Sequence, residues 1–474
     1  MRFSDQFNLN RAQSELDFVD VPLDTDIRVF IDPYALATTK TPWCAAGHAL
    51  AYDFFQQVLN KLRAGDRAGA LVLLGRLRED NRTRLGYSED EPQGSGLGDD
   101  RAGPFLDALE SSEAFQTGRI EDIEDAALFV EGIGFDIVSD MVTNVLREHL
   151  AAYTQDQCRL LGIPMAKRET FEAWRAGTGW TTVTMDLPTD GVRAILLVPR
   201  AVVRKDLSLE PNQYLTDFLD HYYENGNPRA VTALEQMLQN VPTKNNGKQV
   251  HRGKLRDDLK KKGSRKNVMA KITNAFPEAL RGYKGRAREN RPVLTPGELE
   301  SIHPQGREDD ISNLIAELRG AARNANDVMA LAQRITAGLV SAFHPVLQHP
   351  RPLDGSVNGF AGVVMSNVAP KGLLWNARHN GGPGERPNVV VLASNVPITA
   401  AALSHVDARA LCANTSSGVV MLVGPSIDAA TQARRRELAR TGVFVMSTPE
   451  LAAIAEVEAG ADVALDALDA LVAA

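Results

Sequence analysis

The chain has 474 residues, of which 44% are hydrophobic and 24% charged, a composition typical of a soluble globular protein with two or three domains. No apolar run approaches the roughly 18 residues that a membrane span requires, and the N-terminus lacks a secretory signal pattern. We therefore expect a cytoplasmic protein with no membrane partner. The three cysteines, Cys44, Cys158 and Cys412, are far apart, which argues against a disulfide framework and against paired metal ligands.

The net charge of −8 is unevenly distributed along the chain. Residues 244–288 contain 15 Lys and Arg side chains against three acids, Asp257, Asp258 and Glu278. This segment therefore carries a net charge of +12, which leaves −20 for the remainder of the chain. A local basic block of this kind is typical of a surface that binds polyanions.

The N-terminal part alternates short β-like runs with amphipathic helices. The β-like runs occur at 18–19 and 27–31, and apolar residues recur at helical spacing over 45–62. A second helix is predicted over 68–79, and the stretch 86–103, rich in Gly, Asp and Glu, is predicted as a loop. Its glycines do not form a phosphate loop, because no Lys-Ser or Lys-Thr pair follows them.

Helices and one pair of strands are predicted in the next part of the chain. Helical patterns begin at about Pro104 and recur over 135–153. The runs 181–186 and 194–199 predict paired strands, and helices follow to residue 238. The basic segment beyond them is rich in Pro, Gly and Asn, so we predict that it is part loop and part short helix.

A proline cluster between residues 290 and 309 predicts a domain boundary. We divide the chain into a helix-rich α+β N-terminal domain (1–240), a basic segment and linker (241–308), and a C-terminal domain (309–474). Alternating helices and strands in the last part predict an α/β fold with a mixed central sheet and an Ala-rich helical tail. Its predicted elements are helices over 311–343, 400–412 and 429–439, and strands over 360–365, 389–392, 419–423 and 443–446.

Two parts of the chain carry family resemblances. Much of residues 7–205 resembles a family of bacterial proteins associated with anti-phage defence, and this resemblance implies no particular chemistry. It depends on the runs FNLNRAQSELDFVDVPLDTDIRVFIDP, QTGRIEDIEDAALFVEGIGFDIVSDMVTNVLREHLAAYTQDQC and AILLVPRAVVR. Residues 311–447 are similar to the restriction-endonuclease-like domain, with its PD-(D/E)xK motif, that ends such proteins.

Active members of that domain family carry an Asp on one strand and Glu-x-Lys on the next. When the run NGFAG sets the register, the Asp falls on Gly362, the Glu on Leu392 and the Lys on Ser394. These nucleases hold Mg²⁺ with carboxylates, so the resemblance implies a pseudonuclease with no catalytic residues, no metal and no other cofactor. The absence of the Asp and the Glu also removes two anions that would repel phosphates, which favours binding of nucleic acid without cleavage.

The basic block supplies the expected contacts to nucleic acid, because each neutralised phosphate releases counterions. Phe276 and Tyr283 are candidates for base stacking. Two alternatives stay open: the segment is a solvated surface, or it faces the acidic N-terminal region of the same chain. The candidate nucleic-acid-binding residues are Lys248, Arg252, Lys254, Lys260, Lys261, Lys262, Arg265, Lys266, Arg281, Lys284 and Arg286.

Two groups of acids in the N-terminal domain are weaker candidates for a ligand or metal site. Asp136, Asp140 and Asn144 are four apart and share a helix face, where they form either a hydrogen-bonded network or a ligand site. The acids nearest the N-terminus lack EF-hand spacing, which favours caps and turns over a metal site. They are Asp17, Asp20, Asp24, Asp26 and Asp32.

Three functions are consistent with the sequence. The first is a non-catalytic nucleic-acid-binding protein in anti-phage defence. The second is a scaffold, as a homo-oligomer or as a subunit of a defence complex. The third is an enzyme, with its site in the N-terminal domain or with a nuclease centre relocated to Asp354, Lys371, His379 and Glu385. Salt-dependent binding to DNA or RNA separates the first two functions.

Overall fold

The computed structural model of the chain is rich in helices and contains a five-stranded mixed sheet near its C-terminus. Most of the predicted loop 86–103 lies outside the described residues, and helix begins at Asp99, earlier than the predicted end of that loop. The described residues are 1–78, 80–86, 99–238, 240–244, 250–290, 292–303, 308–324, 327–354, 357, 360–379, 385–457 and 460–473.

Helices make up most of the described secondary structure. In chain order they are α1 (Phe3–Gln6), α2 (Pro33–Thr38), α3 (Pro42–Arg63), α4 (Arg67–Leu74), α5 (Asp99–Ser111), α6 (Glu113–Gln116), α7 (Ile123–Phe129), α8 (Phe135–Val145), α9 (Arg147–Leu161), α10 (Pro211–Phe218), α11 (Pro228–Glu235), α12 (Arg252–Lys260), α13 (Arg265–Ala275), α14 (Glu278–Asn290), α15 (Pro296–Ile302), α16 (Ser312–Asn324), α17 (Val328–Phe343), α18 (Gly372–His379), α19 (Ala400–Ser404), α20 (Ala408–Thr415), α21 (Ala429–Ala433), α22 (Arg435–Arg440), α23 (Thr448–Ala455) and α24 (Ala461–Ala473). A π-helical turn, Leu219–Tyr223, continues α10. Among the described residues, no helix combines the length and the apolar character that a membrane span needs.

The strands form two short ribbons and one larger sheet. They are β1 (Phe30–Ile31), β2 (Lys167–Arg175), β3 (Gly179–Leu187), β4 (Val203–Arg204), β5 (Leu347–Pro352), β6 (Phe360–Asn367), β7 (Asn388–Ser394), β8 (Ser417–Gly424) and β9 (Val443–Ser447). β1 pairs with β4 and β2 pairs with β3, in both cases antiparallel. Of the β-like runs predicted near the N-terminus, only Phe30–Ile31 is a strand.

The predicted helix over 45–62 is confirmed as α3. The Thr41 hydroxyl caps the helix by accepting a hydrogen bond from the Cys44 amide, and Pro42 occupies the first helical position, where its missing N–H costs nothing. Its apolar face is buried in the N-terminal core through Phe54, Phe55, Val58, Leu59 and Leu62. This core is where the N-terminal helices pack together.

The predicted pairing of 181–186 with 194–199 is wrong. The first run lies in β3, but β3 pairs with β2, which the sequence did not predict. Residues 194–199 make only isolated bridges, and the Leu196 amide donates to the Arg82 carbonyl. Because a loop satisfies this backbone group, the apolar run is buried without a ladder of strand hydrogen bonds.

The basic segment contains more helix than predicted and packs with the N-terminal domain. α12, α13, α14 and α15 all lie between residues 241 and 308. Their apolar residues join the same core as α3. The contributing side chains include Leu255, Leu259, Val268, Met269, Ile272, Phe276, Tyr283 and Leu299. The described helices of this segment therefore pack against the N-terminal helices.

The C-terminal sheet has the spatial order β5-β6-β7-β8-β9. β5, β6 and β7 are antiparallel, whereas β7, β8 and β9 are parallel. One face packs on α16, α17, α23 and α24, and the other packs on Ile398 and Cys412 near α19 and α20. The four predicted strands are confirmed as β6 to β9, and the Ala-rich tail is confirmed as the helix pair α23 and α24.

Buried polar contacts join the start of the chain to α15 and β5. The Arg2 guanidinium donates to both carboxylate oxygens of Glu300 at 2.5 and 2.6 Å. Asp17 accepts hydrogen bonds from the Tyr153 hydroxyl at 2.7 Å and from the His349 amide at 3.1 Å. Burial raises the pKa of Asp17 to about 6, although these hydrogen bonds and a nearby arginine oppose the shift.

Candidate functional site

The three positions assigned to the lost catalytic residues lie together in the C-terminal sheet. Gly362 in β6 is the direct cross-strand partner of Leu392 in β7. Ser394 lies two residues further along β7 and therefore on the same face of the sheet. Carboxylates at 362 and 392 would thus be immediate neighbours, as a metal-binding pair requires.

Described side chains fill the space around these positions. Leu392 is fully buried, and a Cβ atom at residue 362 would lie 2.5 Å from a methyl carbon of Leu353. Ser394 is 1% exposed, and its hydroxyl donates to the Val396 carbonyl at 2.8 Å. These three positions therefore offer neither a charged ligand nor an open cleft to a hydrated cation.

The residues considered for a relocated nuclease centre lie at two ends of the sheet. Asp354 follows β5 next to the first residue of β6. Lys371, His379 and Glu385 all come after the last residue of β6 and before β7. Lys371 pairs with an aspartate of α24 at 2.7 Å, while Glu385 pairs with Arg378 at 2.5 Å. His379 and Glu385 lie 3.7 Å apart, but the four side chains are not brought together as one centre.

Four of the predicted nucleic-acid-binding cations contact other elements of the chain, although the ion pair of Arg252 is exposed. Lys266 donates to two carbonyls just beyond α7 at 2.8 and 2.6 Å, and burial lowers its pKa to about 8. Lys284 pairs with Asp125 at 2.7 Å. Arg286 donates two hydrogen bonds of 2.6 Å to an aspartate of α10, and Arg252 pairs with an aspartate of the π-helical turn. These cations bind the N-terminal domain itself.

Five other cations lie exposed on α12 and the turn after it. Leu255 and Leu259 anchor one face of α12 in the core, so the opposite face points to solvent. Lys260 and Lys261 are 72% and 74% exposed and make only surface ion pairs of 3.9 and 2.9 Å within their own turn. We call this group the basic surface; its members are Lys254, Arg256, Lys260, Lys261 and Lys262.

The remaining predicted contacts lie outside the basic surface. Arg265 is half-buried at the start of α13, and Arg281 is 76% exposed on α14. Lys248 lies outside the described residues. The prediction that Phe276 and Tyr283 stack on bases is wrong, because their side chains are 3% and 4% exposed and belong to the core.

The acids nearest the N-terminus act mainly as buried hydrogen-bond acceptors. Asp20 accepts from the amide and the hydroxyl of Ser4 at 2.8 and 2.6 Å. Asp32 caps α2 by accepting from the Tyr34 amide. Asp24 is exposed next to the chain's first amino group. These separate roles favour the caps and turns expected from their spacing.

Asn144 of the polar stripe on α8 is part of a buried network. The Asn144 amide donates to the Asp140 carbonyl at 2.7 Å, and its oxygen accepts from Arg147. Arg147 in turn pairs with Asp80 at 2.7 Å. Asp136 is half-buried at the start of the helix, and this burial raises its pKa.

Arg147 also lines a polar cleft of about 670 Å³ that sequence reasoning missed. Its arginines are Arg76, Arg78, Arg82, Arg147 and Arg193. Three of them pair with acids of the same cleft, which partly neutralises it. Arg76, Arg78 and Arg82 are neighbours in the sequence, but Arg147 and Arg193 are distant, so the local run of charge did not indicate the whole cleft.

A second missed group combines a histidine with carboxylates. His48 of α3 and Asp122 and Glu124 at the start of α7 each place one ligand atom within 4.8 Å of the others. Glu124 is 3% exposed, and burial raises its pKa to about 8, with Asp122 and Asp125 adding to the shift. His48 is 74 residues from Asp122 in the chain, so sequence spacing gave no signal.

The comparisons with known proteins concern mainly the N-terminal domain. A family model described as "Domain of unknown function (DUF8370)" matches residues 8–210. The matched range includes the histidine and carboxylate group and ends before the basic surface and the C-terminal sheet. No curated protein and no solved structure matches the chain.

Proposed function

We propose that the protein binds nucleic acid through the basic surface, does not cleave it at the degenerate position in its C-terminal sheet, and acts in anti-phage defence. The observation that carries the proposal is the exposure of five cations on one short helix and its turn. Cations held in this way are available to phosphates, since none of their side chains is needed to neutralise a buried acid.

The order of the C-terminal elements supports a restriction-endonuclease-like fold for this part of the chain. The resemblance implies the order helix, strand, hairpin, strand, helix and strand. The structure has α17, then antiparallel β5, β6 and β7 with α18 inserted between β6 and β7, then α19 and α20, and then β8 parallel to β7. β9 extends this arrangement by one parallel strand.

The residues at the degenerate position support binding without cleavage there. Phosphodiester hydrolysis needs stabilisation of negative charge on phosphorus, which a carboxylate-bound metal supplies in such nucleases. Gly362 and Leu392 have no side-chain oxygen, and Ser394 has no charge. The loss of one such group costs several powers of ten in rate, so the loss of all three leaves no hydrolysis at this position.

The test is a binding and cleavage assay on the full chain. Labelled duplex DNA, single-stranded DNA and RNA are titrated with protein, and binding is followed by fluorescence anisotropy in EDTA. We expect saturable binding of at least one of these probes in EDTA, with an affinity that falls as salt rises, and intact probe after incubation with Mg²⁺ or Mn²⁺.

Two outcomes would contradict the proposal. Absence of binding to all three probes at low salt would favour a scaffold function. A relocated nuclease centre would be favoured by probe cleavage that depends on added metal. Such cleavage would persist in a Leu353→Ala variant and be lost in a Glu385→Gln variant. A matched control, Glu437→Gln, removes an exposed carboxylate of the same C-terminal region.

A further inference from the structure

His48, Asp122 and Glu124 form a compact group of possible metal ligands in the N-terminal part of the chain. An imidazole nitrogen and two carboxylate oxygens lie within 4.8 Å of one another, and they come from two helices packed in the N-terminal core. Ligand atoms bound at about 2.0–2.2 Å to one tetrahedral Zn²⁺ are roughly 3.3–3.6 Å apart. Small side-chain rotations would therefore bring the three atoms onto one ion.

A buried oxygen without a partner gives independent support for a ligand at this place. Glu124 is 3% exposed, and its Oε2 atom has no hydrogen-bond partner among the described residues. Buried polar atoms are nearly always paired, so an unpaired carboxylate oxygen in the core calls for a missing donor or cation. The neighbouring lysine does not fill this role, because the Nζ atom of Lys284 pairs with Asp125 at 2.7 Å.

The local charge also suits a dication. Asp122, Glu124 and Asp125 carry three negative charges when ionised, and Lys284 supplies one positive charge. The group thus has two uncompensated negative charges once Glu124 gives up the proton that burial favours, and a divalent ion that displaces this proton would neutralise both. Burial strengthens this attraction, since the effective dielectric constant is far lower than that of water.

The geometry points to a divalent transition-metal site at His48, Asp122 and Glu124. One imidazole and two carboxylates suit Mn²⁺ or Zn²⁺ better than Mg²⁺ or Ca²⁺, which prefer oxygen ligands alone. The three protein ligands leave further coordination positions for water. The site connects α3 to α7, so a bound ion would also stabilise the packing of these two helices.

The experiment uses the full chain after treatment with EDTA and removal of the chelator. MnCl₂ and ZnCl₂ are titrated separately and followed by isothermal calorimetry, with MgCl₂ and CaCl₂ as comparisons, and the melting temperature is recorded with and without each ion. We expect one Mn²⁺ or Zn²⁺ per chain, binding at least tenfold tighter than Mg²⁺ or Ca²⁺, and a melting temperature that rises by several degrees on saturation.

Substitutions of the proposed ligands test which residues bind the ion. His48→Ala should weaken binding of the preferred ion at least tenfold and reduce the rise in melting temperature, while Glu124→Gln should abolish both effects. His405→Ala and Glu131→Gln remove an exposed histidine and an exposed acid elsewhere and should leave both unchanged. His48 is only half-buried, so its variant tests the site even where Glu124→Gln fails to fold.

Two results would overturn this inference: the absence of stoichiometric Mn²⁺ or Zn²⁺ binding by the wild-type chain, or equal binding by the wild type and His48→Ala. The inference is independent of the proposed nucleic-acid function. Loss of ion binding in His48→Ala with unchanged binding of DNA or RNA would support the metal site without bearing on the basic surface.

Discussion

The triple variant Lys260→Ala/Lys261→Ala/Lys262→Ala tests whether the basic surface binds nucleic acid. Lys260 and Lys261 are 72% and 74% exposed, and Lys262 is exposed beside them. Leu255 and Leu259 hold α12 in the core and stay unchanged. The variant should therefore fold as the wild type does while it loses three of the five exposed cations.

The expected effect is a smaller dependence of affinity on salt. Each duplex phosphate neutralised contributes about 0.9 to the slope of log affinity against log salt, so five cations give a slope of about −4.5 and two give about −1.8. A rise in salt from about 50 to about 200 mM should then weaken binding about 500-fold for the wild type and only about 12-fold for the variant.

The assay is fluorescence anisotropy on a labelled duplex at four or more salt concentrations in EDTA. The matched control is Lys61→Ala/Arg159→Ala/Arg175→Ala, which removes three cations from other elements, each of them in a partly exposed ion pair. The control should keep the wild-type slope. If both triple variants change the slope equally, or if neither does, the basic surface is not the contact surface.

Three further predictions concern stability. Leu392→Glu should lower the free energy of unfolding by about 3–5 kcal/mol in urea titrations, because its carboxylate would be buried without a partner. A variant as stable as the wild type would contradict the buried position of residue 392. Arg2→Ala should cost a similar amount, since it removes two charge-assisted hydrogen bonds from the buried Glu300 carboxylate, and Glu300→Gln in that background should recover part of the loss. Asp17 has a pKa of about 6 when folded, against an ordinary value of 3.8, so the stability that its protonated form contributes is complete below pH 3.8 and is lost as the pH rises through 6. Between pH 4 and 7, the stability of the wild type relative to Asp17→Asn should therefore fall by about 2 kcal/mol, and a constant difference would refute this assignment.

Sequence patterns predicted much of the C-terminal sheet because its strands are buried on both faces. β6 to β9 are nearly continuous apolar runs, and the parallel strands β7, β8 and β9 are separated by helices. β5 was missed because its sequence, LQHPRP, includes two prolines and polar residues, a pattern typical of an edge strand or a loop. The register of β6 against β7 followed from the resemblance and not from periodicity.

The candidate sites were harder to predict, because their residues are distant in sequence. His48 meets Asp122 and Glu124 only through the packing of α3 against α7. Phe276 and Tyr283 looked available for base stacking since they lie in a strongly basic segment. Their helices are amphipathic, however, and the aromatic side chains occupy the buried faces.

The same packing explains why the count of basic residues overstates the nucleic-acid contacts. Fifteen cations between 244 and 288 would give a salt slope of about −13.5 if all of them met phosphates, but several pair with acids of the N-terminal domain. Arg286, for example, donates two bonds of 2.6 Å to Asp217. Arg286→Ala should therefore lower the free energy of unfolding by about 1–3 kcal/mol and leave the salt slope of binding unchanged. The slope of this variant is measured beside that of the lysine triple variant. A flatter slope for Arg286→Ala would show that cations paired with acids of the same chain also reach phosphates. The distinction between these paired cations and the basic surface would then be wrong.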